Sequence, residues 1–387
     1  MKFVLKWFLT VAVPALLLSA CARKDIVNVD SRAGITFLII AGNETLFSPD
    51  SSGYSVLPNA EVVLLSRDYN NTRYTFYADS NGLVNIRNVV ASRYEVRASY
   101  AVNTALTLIS AFELELVQPV QRTDTLKLFR QYNSPLLINE LYYCGIRNDQ
   151  IGFNYFADQF VEIVNRSDSL QFLDGMILAR ISIREEYQLN KDELDSLECL
   201  QAYQFPGKPG GRFYPLNAGE TAVAAVLAAD HTQFIPNSVN LADADFEFVN
   251  QYGSEDDNPQ VQNLYNLNPE ITIEFYFNLV SGGIVLASGE NWHLRTVFTP
   301  TGSRTYVYFP QNTVIDAVEY QASAAGSKYL PLRLDAGFTG VGISRYTGKS
   351  VQRIQLKDLN NSRTDFQILS HPTPGQVFPA LFTGNLY

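Results

Sequence analysis

Three histidines, three cysteines, two methionines and two tryptophans in 387 residues leave little material for metal or nucleophile chemistry. His231, His293 and His371 stand far apart, and no His, Cys and Asp spacing matches a zinc site, so surface or structural roles are expected for them. Gly-x-Ser-x-Gly, His-Glu-x-x-His and Gly-x-Gly-x-x-Gly are absent. The stretch Gly342–Gly348-Lys349-Ser350 misses the phosphate-loop spacing by one residue and reads instead as a strand followed by a turn. Charge is scarce, at 18% of residues, and basic residues are the scarcer sign, 29 against 39 acidic. That deficit excludes an electrostatic nucleic-acid binder, whose affinity rests on neutralising phosphates. No apolar run reaches the ~20 residues that a membrane-spanning helix needs.

The longest apolar run is Trp7 to Leu18, broken by Thr10 and Pro14. It follows Lys2 and Lys6 and ends in Leu18-Ser19-Ala20-Cys21. A basic start, a short apolar run and small residues at its end are the parts of a secretory signal, expected over residues 1–20. Its loss removes two lysines and leaves 27 basic against 39 acidic residues, a charge of −12. Leu-Ser-Ala-Cys resembles the bacterial lipobox. That resemblance implies lipidation at Cys21, a lipidated linker over 21–33 and, with Ala22 next, placement at the outer membrane, facing the periplasm or the cell surface.

What is abundant is β-forming sequence. Over 34–130 short alternating runs recur: Gly34–Ile40, Ala60–Ser66, Tyr74–Asp79, Leu83–Val89, Tyr94–Tyr100 and Asp124–Phe129. Asn81-Gly82 between two runs predicts a hairpin. Regular short strands with turn punctuation predict a sandwich. The series Leu57-Pro-Asn-Ala60-x-Val62, Ala78-Asp79-x-Asn81-Gly82, Asn88-Val89 and Tyr94-x-Val96 resembles the carboxypeptidase-regulatory-like β-sandwich, which implies a spacer or stalk. Gln131–Pro135 reads as the boundary.

From 136 to 387 the pattern begins again. Ile138-Asn-Glu-Leu-Tyr142 and Phe160-Val-Glu-Ile-Val-Asn165 alternate as half-buried strands do, and Met176–Ile183 follows the Asp174-Gly175 turn. Glu185–Glu198 is expected to be one short helix, with Leu194 and Leu197 three apart. Ile138–Tyr143, Gln159–Asn165, Leu173–Gly175, Leu216–Glu220, Val314–Glu319, Asp358–Phe366 and Pro372–Gly375 together resemble a lamin-tail-like, immunoglobulin-like domain with loop insertions. The whole chain resembles a Bacteroidota outer-membrane lipoprotein family of unknown function. It departs from that family at Cys144 and Leu359. The fold class expected is therefore all-β, two tandem sandwiches.

Few groups invite chemistry. Glu140 and Glu162, inside two strands, would suit glycoside hydrolysis if they faced one another across a cleft. The plainer reading makes them part of the strand pattern, and no catalytic residue or cofactor is assigned. Asp243 and Asp245, with Asp256 and Asp257, offer oxygen ligands for calcium but lack the EF-hand spacing. With Cys21 lipidated, Cys144 and Cys199 are left to pair in an oxidising compartment or to stay buried and reduced. The reading that follows is a non-enzymatic envelope protein displaying a loop-rich domain to a protein partner or a glycan. The alternatives are a polysaccharide hydrolase using acids of the second domain and a purely structural component.

Overall fold

The computed structural model describes residues 32–42, 55–69, 72–103, 106–130, 134–299 and 302–376. The signal over 1–20, Cys21 and the boundary residues 131–133 lie outside them. Among the described residues the regular secondary structure is almost all β, in two large curled sheets.

The first sheet uses β1 (Arg32–Ala41), β2 (Glu61–Ser66), β3 (Arg73–Tyr77), β4 (Leu83–Val90), β5 (Ser92–Asn103), β6 (Leu106–Leu116) and β7 (Pro119–Arg130). Their order is β3-β2-β5-β6-β7-β1-β4. β6 and β7 pair only at Leu108–Arg130 and Ile109–Phe129, so the sheet bends there into two leaves. Ile35, Phe37 and Ile39 of β1 and Val62, Leu64, Tyr94 and Val96 of the other leaf share one buried core. Burying each such side chain contributes roughly 1.5–3 kcal/mol. Two expectations change here. β6 goes unnoticed among the expected runs, although Phe112-Glu-Leu-Glu-Leu116 alternates and pairs along β5. The Asn81-Gly82 turn is no hairpin: β3 pairs with β2 while β4 pairs with β1. The turn crosses between leaves. The Asp79 carboxylate caps it by accepting from the amides of Asn81 (2.8 Å) and Leu83 (2.9 Å). Gly82, at φ +74°, passes so near β1 that a Cβ would meet the Ile39 carbonyl at 3.0 Å.

The second β-region is larger and is built on a 13-stranded sheet. Its first part holds β8 (Leu136–Tyr142), β9 (Ile146–Asn148), β10 (Phe153–Tyr155), β11 (Phe160–Asn165), β12 (Gln171–Phe172), β13 (Ile177–Ile181), helix α1 (Glu185–Asn190) and β14 (Ser196–Gln204). β15 (Pro215–Leu216), β16 (Thr221–Ala225), β17 (Phe246–Val249), β18 (Gln262–Asn266) and β19 (Ser281–Ala287) continue it. β20 (His293–Thr299), β21 (Gly302–Pro310), β22 (Val314–Gln321), β23 (Ser350–Arg353), helix α2 (Ser362–Asp365) and β24 (Phe366–Leu369) complete it. The main order is β22-β19-β13-β14-β18-β17-β16-β11-β8-β23-β24, and β21 joins β14 with β20 on its outer side. β9–β10 and β12–β15 form small separate ladders.

Three local expectations are corrected. Only Glu185–Asn190 is helical, and Ser196–Gln204 is a strand between β13 and β21. Tertiary burial of Leu197 and Cys199 beside Val307 and Phe309 outweighs the helical spacing of the leucines. Gly342–Ser350 runs in the opposite sense to that expected, turns first and then β23. β8 and β11 are buried on both faces rather than one.

The curl is closed by side chains. β22 ends the strand order on one side, and β8 and β23 lie near the other. Asp316 of β22 accepts from the Ile138 amide of β8 at 2.6 Å and from Arg353 Nη2 of β23 at 2.8 and 2.7 Å. Arg353 Nε donates to the Ile138 carbonyl at 2.8 Å and Nη1 to the Lys357 carbonyl at 3.0 Å. The guanidinium also lies over the Phe366 ring, 4.7 Å from its centre. Both members of the pair are buried. Breaking one side should leave an uncompensated buried charge, at about 3–5 kcal/mol. Asp316→Leu with Arg353→Met should cost much less than either single change, since both charges then leave together. Urea unfolding of the four proteins in a double-mutant cycle checks this, with the double variant expected to lose far less than the sum of the two single losses.

Candidate functional site

The ladder of β8 and β11 sets Glu140 directly opposite Glu162. Both side chains are fully buried. Glu140 accepts from Ser350 Oγ (2.5 Å) and the Thr373 amide (3.0 Å) on one oxygen, and from Thr373 Oγ1 (2.7 Å) and Gln352 Nε2 (3.4 Å) on the other. Glu162 accepts from Asn139 Nδ2 and from the Gly375 amide, each at 2.6 Å. The two acids thus hold the segment around 373–375 over the polar face of β8 and β11, which explains why these alternating strands have no wet side. Burial is the main reason both carboxyls are harder to ionise than usual. Glu162 is pushed up to about 8, with the neighbouring Glu140 charge adding to the effect.

The other residues singled out by sequence are scattered. Asp245 accepts from the Val223 amide at 2.8 Å, and Asp243, Asp256 and Asp257 are exposed. Among the described residues no three His, Cys, Asp or Glu side chains, Asp243, Asp245, Asp256 and Asp257 included, gather in one group. The nearby polar order is made by Glu247 and Asn258 instead: Glu247 accepts from the amides of Ala228 (2.7 Å) and Asn258 (2.8 Å). His231 is buried, with Nε2 2.9 Å from the Leu227 carbonyl and Nδ1 2.8 Å from the Tyr155 hydroxyl. The Leu227 carbonyl requires Nε2 to donate, and burial lowers the imidazole's pKa, favouring the neutral form that accepts at Nδ1. The Cys144–Cys199 bridge is not formed: both thiols are free and buried in different core clusters. The Cys144 sulfur donates to the carbonyls of Gly145 and Lys349, and burial pushes the Cys199 thiol well up.

A cleft of about 380 Å³ opens elsewhere, between α1, β14 and the β20–β21 hairpin. Arg184, Tyr187, Asp195, His293, Arg295 and Tyr308 line it. His293 and Arg295 are two apart in β20, and His293 pairs with Tyr308 and Arg295 with Tyr306 across the hairpin, so all four share one face. The His293 ring lies 5.7 Å from the Tyr308 ring centre and 17° from parallel. The Arg295 guanidinium sits 5.7 Å from the same centre. Below them Arg184 grips the buried Glu198 (2.5 Å) and reaches Glu186 (3.2 Å), and the Tyr308 hydroxyl donates to Glu198. The sequence reading passed over this group, apart from noting His293 as isolated. Its one signal is alternation, His293-x-Arg295 facing Tyr306-x-Tyr308, and that becomes a site only once the hairpin register is known.

Fold and cleft define a two-sheet all-β protein with a small polar cleft at a strand hairpin. Residues 217–373 match the family described as "Protein of unknown function (DUF4876)". A DUF4876 family protein from Bacteroides thetaiotaomicron VPI-5482 shares the fold: it is 23% identical, the match covers 86% of this chain and 94% of that one, and the TM-score is 0.54. Fervidolysin from Fervidobacterium pennivorans, a keratinolytic enzyme related to subtilisin, matches at 10% identity over 52% of this chain and 26% of its own, with a TM-score of 0.20 that carries no structural weight. No curated protein matches the chain.

The acid pair gives a signed pH dependence. The unfolded chain ionises Glu162 near 4.5, whereas the folded chain keeps its proton until about pH 8. Between those values the folded state binds the extra proton, so this group's contribution to stability falls as pH rises and levels off above 8. Glu162→Gln should flatten that slope over roughly pH 5–8. Unfolding free energies of both proteins across this range provide the check; equal slopes would show that Glu162 ionises normally.

Proposed function

We propose that this protein is a non-enzymatic, lipid-anchored component of the cell envelope that presents its second β-domain for binding. The observation that carries this reading is the enclosure of Glu140 and Glu162. The two acids that the strand pattern sets opposite one another are bonded to the chain's own residues 373–375. A glycosidase needs one acid to reach the leaving oxygen and another to reach the sugar or a water. Here both are covered. The anchor rests on the sequence of residues 1–21, with Cys21 taking the lipid at the outer membrane. The first sheet, carboxypeptidase-regulatory-like in its sequence motifs, acts as the spacer, and the second, lamin-tail-like in its own, carries the binding face. The partner is a protein of the envelope or a glycan.

Cys21→Ser should abolish incorporation of a fatty-acid analogue and release the protein from the membrane fraction, because the thiol receives the lipid. In the same preparations the full chain should yield no reducing ends from envelope polysaccharides, with or without Glu140→Gln. Undiminished labelling of Cys21→Ser would remove the anchor. Sugar release that depends on Glu140 would replace the binding reading with a hydrolase.

A further inference from the structure

We infer that the free edge of β20 pairs with the same edge of a second copy of this chain, antiparallel and about a two-fold axis at Thr296. The inference stands apart from the binding role proposed above. A strand with one neighbour turns every second amide and carbonyl outward, and proteins blunt such edges with short strands, lysine, proline, bulges or a cover. This chain covers neighbouring edges with its own groups. On β22 the Glu319 amide donates to Asp335 (2.9 Å) and the Gln321 amide to the Thr339 carbonyl (2.9 Å). On β21, beyond its pairing with β14, the Thr305 amide donates to Glu270 (3.2 Å) and the Thr305 carbonyl accepts from Asn268 Nδ2 (2.9 Å). β20 has β21 on one side and, among the described residues, no backbone partner on the other. It runs from His293 to Thr299 with no lysine, no proline and no register shift. On it Leu294 is 39% exposed and Phe298 84%. Every device that keeps an edge from pairing is missing here.

The residues of the strand select the occupant. In an antiparallel ladder, residues that turn their amide and carbonyl to the partner oppose one another, so a strand meets its own copy about an axis through a residue, not between two. An axis at Thr296 sets Leu294 against Phe298 of the second copy, twice over, and Thr296 against its own copy. Apolar pairs and Thr–Thr pairs directly opposite are both favourable. An axis at Arg295 would set two guanidiniums face to face, and one at Val297 would set Phe298 against Thr296. With the axis at Thr296, Arg295 opposes Val297 and lies diagonal to its copy. Its guanidinium leans over Tyr308, the residue that faces His293, and so points away from the axis. The ladder β14-β21-β20 then continues through the axis into the β20, β21 and β14 of the second copy. Such an isologous contact closes as a dimer. One strand pair buries less than the ~800 Å² per partner of a stable interface, so the dimer is weak and reversible.

The test uses the full chain carrying Cys21→Ser, so that no lipid holds copies together; Cys144 and Cys199 are buried. In sedimentation from about 1 µM to 1 mM, the weight-average mass should rise toward that of a dimer. Phe298→Lys and Leu294→Lys should each raise the dissociation constant about tenfold or more. Thr296→Cys should cross-link two copies on mild oxidation, since Cα atoms opposite one another lie about 4.5–5.5 Å apart, within disulfide reach. Ser303→Cys, on β21 and at least three strand spacings or about 14 Å from its copy, should not. A labelled peptide of residues 293–299 should bind the chain, and a scrambled peptide of the same composition about tenfold more weakly or less. Circular dichroism matching the parent secures the variants. The inference is overturned if the chain stays monomeric throughout, if the dimer survives both lysine changes, if Ser303→Cys cross-links as readily as Thr296→Cys, or if the scrambled peptide binds as well as the native one, which would make the edge a site for any extended strand.

Discussion

The ion pair of Asp316 and Arg353 is the constraint on which the second sheet depends. Backbone pairing alone leaves β22 at one end of the strand order and β8, β23 and β24 at the other. The pair ties these ends together through the Ile138 backbone, which offers its amide to Asp316 and its carbonyl to Arg353. Removing two charges from water costs several kcal/mol per ion, and only dense hydrogen bonding offsets that. Arg353 meets the condition with its stacking on Phe366 and its bonds to two carbonyls and a carboxylate. Asp358 and Asp365 crowd the same guanidinium, so burial raises their carboxyls while Arg353 draws them down.

Closure decides which polar groups remain available. On the side of β8 and β11, Glu140, Glu162 and Asp158 are turned inward and used. Glu140 and Glu162 fasten residues 373–375, and Asp158 accepts from Tyr142 (2.9 Å) and Ser238 (2.6 Å). The hairpin of β20 and β21 is different. It meets the main sheet only where Val307–Pro310 pair with Cys199–Ser196, so most of β20 lies beyond the ladder with its side chains exposed. The exposed side chains here are therefore carried by a projecting hairpin on the sheet.

Much of this was legible in the residues. Phe160-Val-Glu-Ile-Val-Asn165 is a strand because β-branched residues alternate with polar ones, and the facing of Glu140 and Glu162 follows once that strand pairs with Ile138–Tyr142. What covers the two acids was not legible, since Thr373 and Gly375 lie more than 200 residues away in sequence. Short-range signals misled where tertiary partners decided the outcome. Asn81-Gly82 has the chemistry of a hairpin, yet β1 claims the strand that follows it. Leu194 and Leu197 have helical spacing, yet Leu197 and Cys199 are drawn into the core of β13, β14 and β21. The cleft was hidden for the same reason: its cationic and aromatic groups come from α1 and its N-cap, β20 and β21, and the register of His293 on Tyr308 is needed to bring them together.

The central claim is that Glu140 and Glu162 serve the fold and that binding, as proposed, takes place away from them. Amide hydrogen exchange of the full chain, with and without isolated outer-membrane fragments, tests it most directly because it reports both regions in one experiment. The account predicts added protection elsewhere in the second β-region, with none over 138–142, 160–165 or 373–376. Protection confined to the strands of Glu140 and Glu162 and the segment that covers them would contradict it.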